Sequence, residues 1–186
     1  MKSIEIINEN GALAKLVTDF VDPSLFVLLR EEVAWSQNEI RVFGQTHLEP
    51  RLTAWYGPSY KYSSIHWPAK EFPSFLNGLK TRLSEYCQQP FNAVLLNYYR
   101  NGNDAMGWHR DNELTIIGNT IASISLGEPR DFRIRNRATK KAVTIELPAG
   151  SLLIMTGLQQ DHEHSLPKRI KVTDGRINLT FRLLRE

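Results

Sequence analysis

Cysteine is nearly absent from the sequence, since Cys87 is the single one among 186 residues. One cysteine excludes an internal disulfide framework and a cysteine-rich zinc site. Cys87 falls within an apolar helical pattern, which favours a buried structural thiol over a nucleophile. Long apolar runs are also missing, because no stretch approaches the roughly 18 apolar residues that a membrane span requires. Residues 1–20 do not resemble a signal peptide, so we expect an intracellular protein, cytoplasmic in a bacterium and nuclear in a eukaryote.

The sequence has only a small excess of basic over acidic residues. Lysine and arginine number 23 against 20 acidic residues, which gives a formal net charge of +3. This average does not identify a partner, and only the distribution of basic residues along the chain can. The hydrophobic fraction of 41% is typical of a globular protein. Because no repeat and no Pro-rich or Gly/Ser-rich linker interrupts the chain, residues 1–186 are predicted to form a single domain.

The chain changes character near residue 91. Asp22-Pro23 predicts the start of a helix that reaches about Trp35, and a second helix fits Pro73 to Gln88. Six short apolar runs follow, separated by turn-forming residues, and we interpret them as strands: Ala93–Tyr99, Ile121–Leu126, Asp131–Arg135, Val143–Leu147, Ser151–Met155 and Ile177–Leu184. This order predicts an α+β fold, in which two N-terminal helices pack on the larger sheet of a β-sandwich or jelly roll.

Aromatic and basic residues alternate in the segment 36–67. Its aromatic members are Phe43, Trp55, Tyr56, Tyr60, Tyr62 and Trp67, and they are interleaved with Arg41, His47, Arg51 and Lys61. Stacking surfaces beside positive charge are typical of sites that hold nucleotide bases and phosphates. The alternative is a hairpin whose aromatic side chains simply join the core.

The histidines indicate a metal site. His109 and Asp111 are two residues apart, so in an extended segment both side chains project from the same face. A polar turn further along the chain presents His162 and His164. Two histidines and one carboxylate form the facial triad of non-haem Fe(II) oxygenases. Zinc accepts the same ligands, so the triad by itself does not decide the metal.

The last predicted strand has one polar face, formed by Arg176, Asn178, Thr180 and Arg182. Two arginines facing a sandwich interior require counter-anions, and guanidinium groups bind carboxylates through paired hydrogen bonds. A small dicarboxylate suits such an interior, whereas a solvated strand face is the alternative. Arg176 and Arg182 lie about 20 Å apart along an extended strand, so only side chains leaning inward would engage one small molecule.

Four ordered motifs carry a resemblance to a known family. They are Asn97-Tyr98-Tyr99, His109-Arg110-Asp111-Asn112-Glu113, His164-Ser165-Leu166-Pro167 and Arg176-x-Asn178-x-Thr180-x-Arg182. This set resembles the AlkB family of Fe(II)/2-oxoglutarate dioxygenases, and most closely the branch that repairs alkylated bases. The resemblance implies a double-stranded β-helix core over residues 91–186 with a nucleotide-recognition lid over residues 36–67. It also implies Fe(II), the cosubstrate 2-oxoglutarate and O₂.

The resemblance assigns roles to single residues. His109, Asp111 and His164 would bind Fe(II), and His162 would be a neighbour of the site. Arg176 would pair with the far carboxylate of 2-oxoglutarate, assisted by Asn97 and Tyr99. Arg182 would contact the carboxylate next to the keto group, with Asn178 nearby and Thr180 on the same face.

The implied reaction is oxidative demethylation of bases such as 1-methyladenine and 3-methylcytosine in DNA, with release of formaldehyde. Because a base within a duplex does not reach a buried iron, it would be flipped out. Tyr60 and Tyr62 match lid positions, with Arg51 as a further lid residue, and Tyr62 would stack on the base opposite His109. Glu113 matches a position beside a cationic base, whereas Asn112 fills a position often held by Asp.

Arg130 matches a family position near the lesion pocket. It also opens a run of basic residues that would contact phosphates: Arg130, Arg133, Arg135, Arg137, Lys140 and Lys141, followed later by Lys168, Arg169 and Lys171. We expect a monomer without a membrane partner. The same chemistry on RNA or protein is an alternative, and so is a non-catalytic nucleic-acid binding module.

Overall fold

The computed structural model describes residues 1–42, 44–62 and 65–185, without the side chains of Arg41, Val42 and Tyr62. The helices within these residues are α1 (Leu25–Glu32), α2 (Ser74–Cys87) and α3 (Leu158–Asp161). The strands are β1 (Lys2–Glu9), β2 (Ala12–Thr18), β3 (Glu39–Val42), β4 (Gln45–Leu48), β5 (Leu52–Tyr56), β6 (Tyr60–Tyr62), β7 (Ile65–Trp67), β8 (Ala93–Tyr99), β9 (Met106–His109), β10 (Thr120–Gly127), β11 (Arg130–Asn136), β12 (Ala142–Leu147), β13 (Ser151–Thr156), β14 (His162–Leu166) and β15 (Arg176–Arg182).

Two antiparallel sheets form the body of the protein. The larger sheet has the order β1-β2-β13-β10-β15-β8-β5, and the smaller has the order β12-β11-β14-β9. Apolar side chains from both sheets meet in one core cluster, which contains Ile121 and Met155 from the larger sheet and Phe132 and Ile134 from the smaller. The predicted double-stranded β-helix is therefore confirmed, and the two sheets enclose the space in which the polar residues of β15 lie.

Both long helices cover the outer face of the larger sheet, as predicted. Leu29 of α1 and the α2 residues Leu76 and Leu83 are fully buried against β10, β13 and β15. The first helix ends before Trp35, because the backbone becomes extended at Val33. No helix in the described ranges is long and apolar enough to cross a membrane.

All six strands predicted after residue 91 are present, with ends that differ by at most two residues. The larger sheet nevertheless extends beyond the predicted core of 91–186, because β1, β2 and β5 come from earlier in the chain. Strand β5 pairs with β8 and belongs to the segment that was predicted to be a lid. The part of this segment outside the body forms the hairpins β3–β4 and β6–β7.

Aromatic side chains of the 36–67 segment largely join the core. Trp55, Tyr60 and Trp67 are buried and stack on one another, with ring centroids 4.6 Å apart for Trp55–Tyr60 and 5.9 Å for Tyr60–Trp67. Trp55 and Trp67 therefore fit the alternative in which the aromatic side chains join the core. Tyr60 also reaches the interior cavity described below.

Candidate metal and cosubstrate site

Two neighbouring strands of the smaller sheet bring three potential metal ligands together. Strand β14 pairs with β9 so that His164 lies opposite His109, and Asp111 follows β9 by two residues. One ligand atom from each residue lies within 4.8 Å of the others. Two imidazoles and a carboxylate are the donor set of the facial triad, which leaves other coordination positions open. The residues therefore fit an iron ion.

Hydrogen bonds and burial keep both histidines suited to metal binding. The Nδ1 of His109 lies 2.9 Å from the Gly107 carbonyl oxygen, so it donates its proton there and leaves Nε2 as the ligand atom. Burial lowers the pKa of His109 from its ordinary value and lowers that of His164 to about 3. Both imidazoles are therefore neutral near pH 7, which is the form that binds a metal.

Asp111 is held in the charged form by an arginine. Burial alone would raise its pKa, but Arg182, whose Nη2 donates to Asp111 Oδ1 over 2.6 Å, keeps the pKa well below the usual range. The second carboxylate oxygen, Oδ2, lies 3.6 Å from His164 Nε2. Arg182 was predicted to contact a cosubstrate carboxylate, and the structure gives it this ion pair within the chain.

A cavity leads from the three ligands into the space between the sheets. Its empty volume is about 610 Å³, part of it open to solvent. All nine residues expected at the metal and the cosubstrate line it, namely Asn97, Tyr99, His109, Asp111, His164, Arg176, Asn178, Thr180 and Arg182. Arg176 and Arg182 thus border one cavity although they lie six positions apart on β15. Their separation along the strand does not prevent both from facing the same small molecule.

Arg176 lies at the far end of this cavity. Its side chain is 2% exposed, its Nη2 donates to Ser125 Oγ over 2.8 Å, and its Nε is buried without a partner. Among the described residues, no carboxylate lies within ion-pair distance of it, and burial lowers its pKa to about 10. A buried guanidinium of this kind requires an anion, so the cavity fits a dicarboxylate such as 2-oxoglutarate.

Serines on β10 complete the polar wall and were missed by sequence reasoning. Asn178 Nδ2 donates to Ser123 Oγ over 2.7 Å, and Thr180 Oγ1 donates to Asn178 Oδ1 over 2.8 Å. Asn178 is therefore engaged on both sides by the protein. The alternation of Ser123 and Ser125 with apolar residues was a signal that could have placed them on the interior face.

The residues predicted to contact the base are only partly brought together. Arg51 and Tyr60 line the cavity. Glu113 is half-buried within hydrogen-bonding reach of the Tyr60 hydroxyl, and burial raises its pKa. Asn112 is exposed. The side chain of Tyr62 lies outside the described residues, so the proposed stacking on a base stays a prediction.

Arg130 does not line the cavity. Its side chain is 1% exposed and donates to the backbone carbonyls of Asn101, Asp104 and Pro167 at 3.2, 3.1 and 2.7 Å. It therefore ties the loop after β8 to the segment after β14. These contacts give Arg130 a structural position away from the cavity, because its Nη1 and Nη2 both donate to main-chain oxygens.

Only part of the predicted basic surface is free to contact phosphates, because one of its arginines is paired within the protein. Arg135 lies over the Trp108 ring at 4.0 Å and binds Glu163 Oε1 through two nitrogens at 2.9 and 2.7 Å. Trp108 and Glu163 immediately precede the two histidine ligands, so Arg135 joins their strands on the outer face. Among the basic residues predicted to contact phosphates, those with exposed side chains are Arg133, Arg137, Lys140, Lys141, Lys168, Arg169 and Lys171.

Residues 15–182 match the family model of the 2OG-Fe(II) oxygenase superfamily. The chain belongs to this superfamily. Its members use Fe(II), 2-oxoglutarate and O₂, in agreement with the donor set and the anion-deficient cavity. A solved structure described as OsALKBH1 shares the fold, with a TM-score of 0.68 at 16% sequence identity over 95% of this chain and 99% of that one.

Two curated relatives are more similar in sequence. The DNA oxidative demethylase ALKBH2 of Bos taurus is 37% identical over 174 residues, which cover 85% of this chain and 63% of that protein. The alpha-ketoglutarate-dependent dioxygenase alkB homolog 3 of Homo sapiens is 38% identical over 168 residues, which cover 83% of this chain and 58% of that protein. This chain thus spans less than two thirds of the length of both.

Proposed function

We propose that the protein oxidatively demethylates N-alkylated bases such as 1-methyladenine and 3-methylcytosine in DNA, in a direct-reversal repair reaction. The observation that carries the proposal is one cavity with His109, Asp111 and His164 at one end and the anion-deficient Arg176 at the other. The relatives named as ALKBH2 and alkB homolog 3 support the class of reaction and substrate.

His109, Asp111 and His164 would hold the iron, and Arg176 would bind the far carboxylate of 2-oxoglutarate with the ring of Tyr99 beside it. Fe(II), 2-oxoglutarate and O₂ together supply the oxidation of the N-methyl carbon, which yields succinate, CO₂ and a hydroxymethyl adduct that loses formaldehyde. Arg182 keeps Asp111 ionised and oriented.

The base would enter as a flipped-out or single-stranded nucleotide, because the ligand cluster lies inside the protein. Tyr60 lines the cavity and Glu113 lies within hydrogen-bonding reach of the Tyr60 hydroxyl, and an ionised Glu113 would favour a base that methylation has made cationic. Exposed basic side chains at the β11–β12 turn, Arg137, Lys140 and Lys141, would contact phosphates. We further propose an intracellular monomer.

The test has two stages. Anaerobic protein with Fe(II) is expected to bind 2-oxoglutarate. In air it should convert 2-oxoglutarate to succinate and release formaldehyde from oligonucleotides that carry 1-methyladenine. Parallel DNA and RNA oligonucleotides, single- and double-stranded, decide which nucleic acid is preferred. Absence of 2-oxoglutarate binding would contradict the enzyme class. Binding without formaldehyde from any methylated DNA or RNA would redirect the proposal to protein side chains.

A further inference from the structure

A second buried ion pair lies beside the cavity, apart from the metal ligands. Glu49 follows β4 and is 1% exposed, and Arg51 precedes β5 and is 4% exposed. The Arg51 Nη2 donates to Glu49 Oε1 over 2.5 Å. Arg51 lines the cavity, whereas Glu49 lies behind it. None of the roles assigned above uses Glu49.

The Glu49 carboxylate is fixed on both of its oxygens. Its Oε2 accepts from Asn38 Nδ2 at 3.1 Å and from Thr53 Oγ1 at 3.4 Å, while Oε1 holds Arg51. Main-chain bonds fix the same residue, since Glu49 N donates to the Asn38 carbonyl and Gln37 Nε2 donates to the Glu49 carbonyl, both over 2.8 Å. Glu49 is therefore a rigid anchor for the Arg51 guanidinium.

Arg51, held in place by Glu49, in turn fixes the orientation of the Asn97 side chain. Its Nε donates to Asn97 Oδ1 over 2.8 Å. An arginine nitrogen only donates, so the Asn97 atom that faces it must be the carbonyl oxygen. The amide NH₂ of Asn97 is consequently turned away from Arg51. Asn97 is 7% exposed and lines the cavity. A fixed NH₂ group in this wall is a hydrogen-bond donor, which is what an anionic ligand requires.

We propose that Glu49 is a positioning residue for cosubstrate binding. It anchors Arg51, and Arg51 sets the orientation in which the Asn97 amide donates to a carboxylate of 2-oxoglutarate. This inference rests on the proposed function, because it takes the cavity as the 2-oxoglutarate site. Without the Glu49 charge, Arg51 loses its counter-ion and Asn97 loses the contact that selects one of its two amide orientations.

The experiment measures 2-oxoglutarate binding by calorimetry, with Mn(II) in place of Fe(II) so that no turnover occurs. Glu49→Gln keeps the side-chain shape but removes the charge, and is expected to weaken 2-oxoglutarate binding about tenfold. Mn(II) binding without 2-oxoglutarate should stay unchanged, and turnover with Fe(II) should recover at saturating 2-oxoglutarate. Glu39→Gln, an exposed position in the adjacent hairpin, is the matched control and should bind as the unaltered protein does.

Asn97→Asp tests the amide orientation separately. It retains an oxygen for Arg51 but replaces the NH₂ by an oxygen, so 2-oxoglutarate binding should fall further than in Glu49→Gln. Tight binding by Asn97→Asp would overturn the inference. So would Glu49→Gln with lowered thermal stability but unchanged affinity, because that result indicates a purely structural role. If the unaltered protein with Mn(II) binds no 2-oxoglutarate, the proposed function itself fails.

Discussion

The two ends of the cavity differ in how their charge is balanced. At the metal end, Arg182 and Asp111 form an ion pair within the chain, and the pair raises the pKa of Arg182 although burial opposes the shift. At the far end, Arg176 is equally buried, but its contacts among the described residues are the Ser125 hydroxyl and the Tyr99 ring, with no carboxylate. The arginine charge at the metal end is neutralised within the protein before a ligand binds. The arginine charge at the far end is neutralised only when an anion binds. Binding energy for a dicarboxylate is therefore concentrated at Arg176.

Removing a ligand at the metal end should have the largest effect on activity. His109→Ala is expected to lower formaldehyde release more than about a hundredfold, since even indirect partners of metal ligands contribute 10–100-fold. Mn(II) affinity and formaldehyde yield are the measurements. His66→Ala, an exposed histidine in β7, is the control. Succinate production by His109→Ala at the unaltered rate would show that the triad assignment is wrong.

Breaking the internal ion pair should affect stability without any ligand. Arg182→Met leaves Asp111 buried and unpaired, so we expect the metal-free protein to lose about 3–5 kcal/mol of unfolding free energy. Chemical denaturation measures this value. Mn(II) should restore part of the loss, because it supplies positive charge next to Asp111. If Arg182→Met and the unaltered protein were equally stable, the Arg182–Asp111 ion pair would not stabilise the metal end, and the proposed difference between the two ends would be wrong.

At the far end, replacing the arginine by methionine should lower the affinity for 2-oxoglutarate but not the stability of the metal-free protein. Arg176→Met removes a buried charge that lacks a counter-ion, so the metal-free protein should not be destabilised. Affinity for 2-oxoglutarate should fall about thirtyfold or more, as expected for loss of a buried charged partner. Calorimetry with Mn(II) measures the affinity, and the exposed Arg133→Met is the control. Unchanged affinity would place the dicarboxylate elsewhere.

The smallest effect is expected outside both ends, at Asn112. Asn112→Asp adds a negative charge near the approach to the site and should raise the preference for cationic 1-methyladenine over neutral 1-methylguanine. The gain is about fivefold, as for two charges about 4 Å apart in water. Relative rates of formaldehyde release measure it. Asn103→Asp, in a separate exposed loop, should leave the preference unchanged.

The candidate metal ligands came from the family resemblance, because spacing alone left His162 and His164 as alternatives. Side-chain alternation in the sequence predicts the interior face of β15, where Arg176 and Arg182 lie with Asn178 and Thr180. It does not predict β9 or β14, since Gly107 and the His162-Glu163-His164 run lack the apolar alternation that indicates a strand. Arg130 shows a further limit. A buried arginine bound to main-chain carbonyls and an exposed arginine that contacts phosphates have the same sequence signature, and only the fold distinguishes them.

The β1–β2 hairpin has a practical consequence for handling this protein. Strand β2 pairs with β13 and thereby covers an edge of the larger sheet, yet the family match begins at residue 15, within β2. A fragment trimmed to that boundary would lose β1 and two of the five β2–β13 residue pairs, which leaves main-chain groups at this edge unpaired, and such an edge promotes aggregation. In the intact hairpin the outermost strand carries Lys2, Glu5 and Glu9 and a bulge between Glu5 and Ile7, which are features that discourage edge-to-edge pairing.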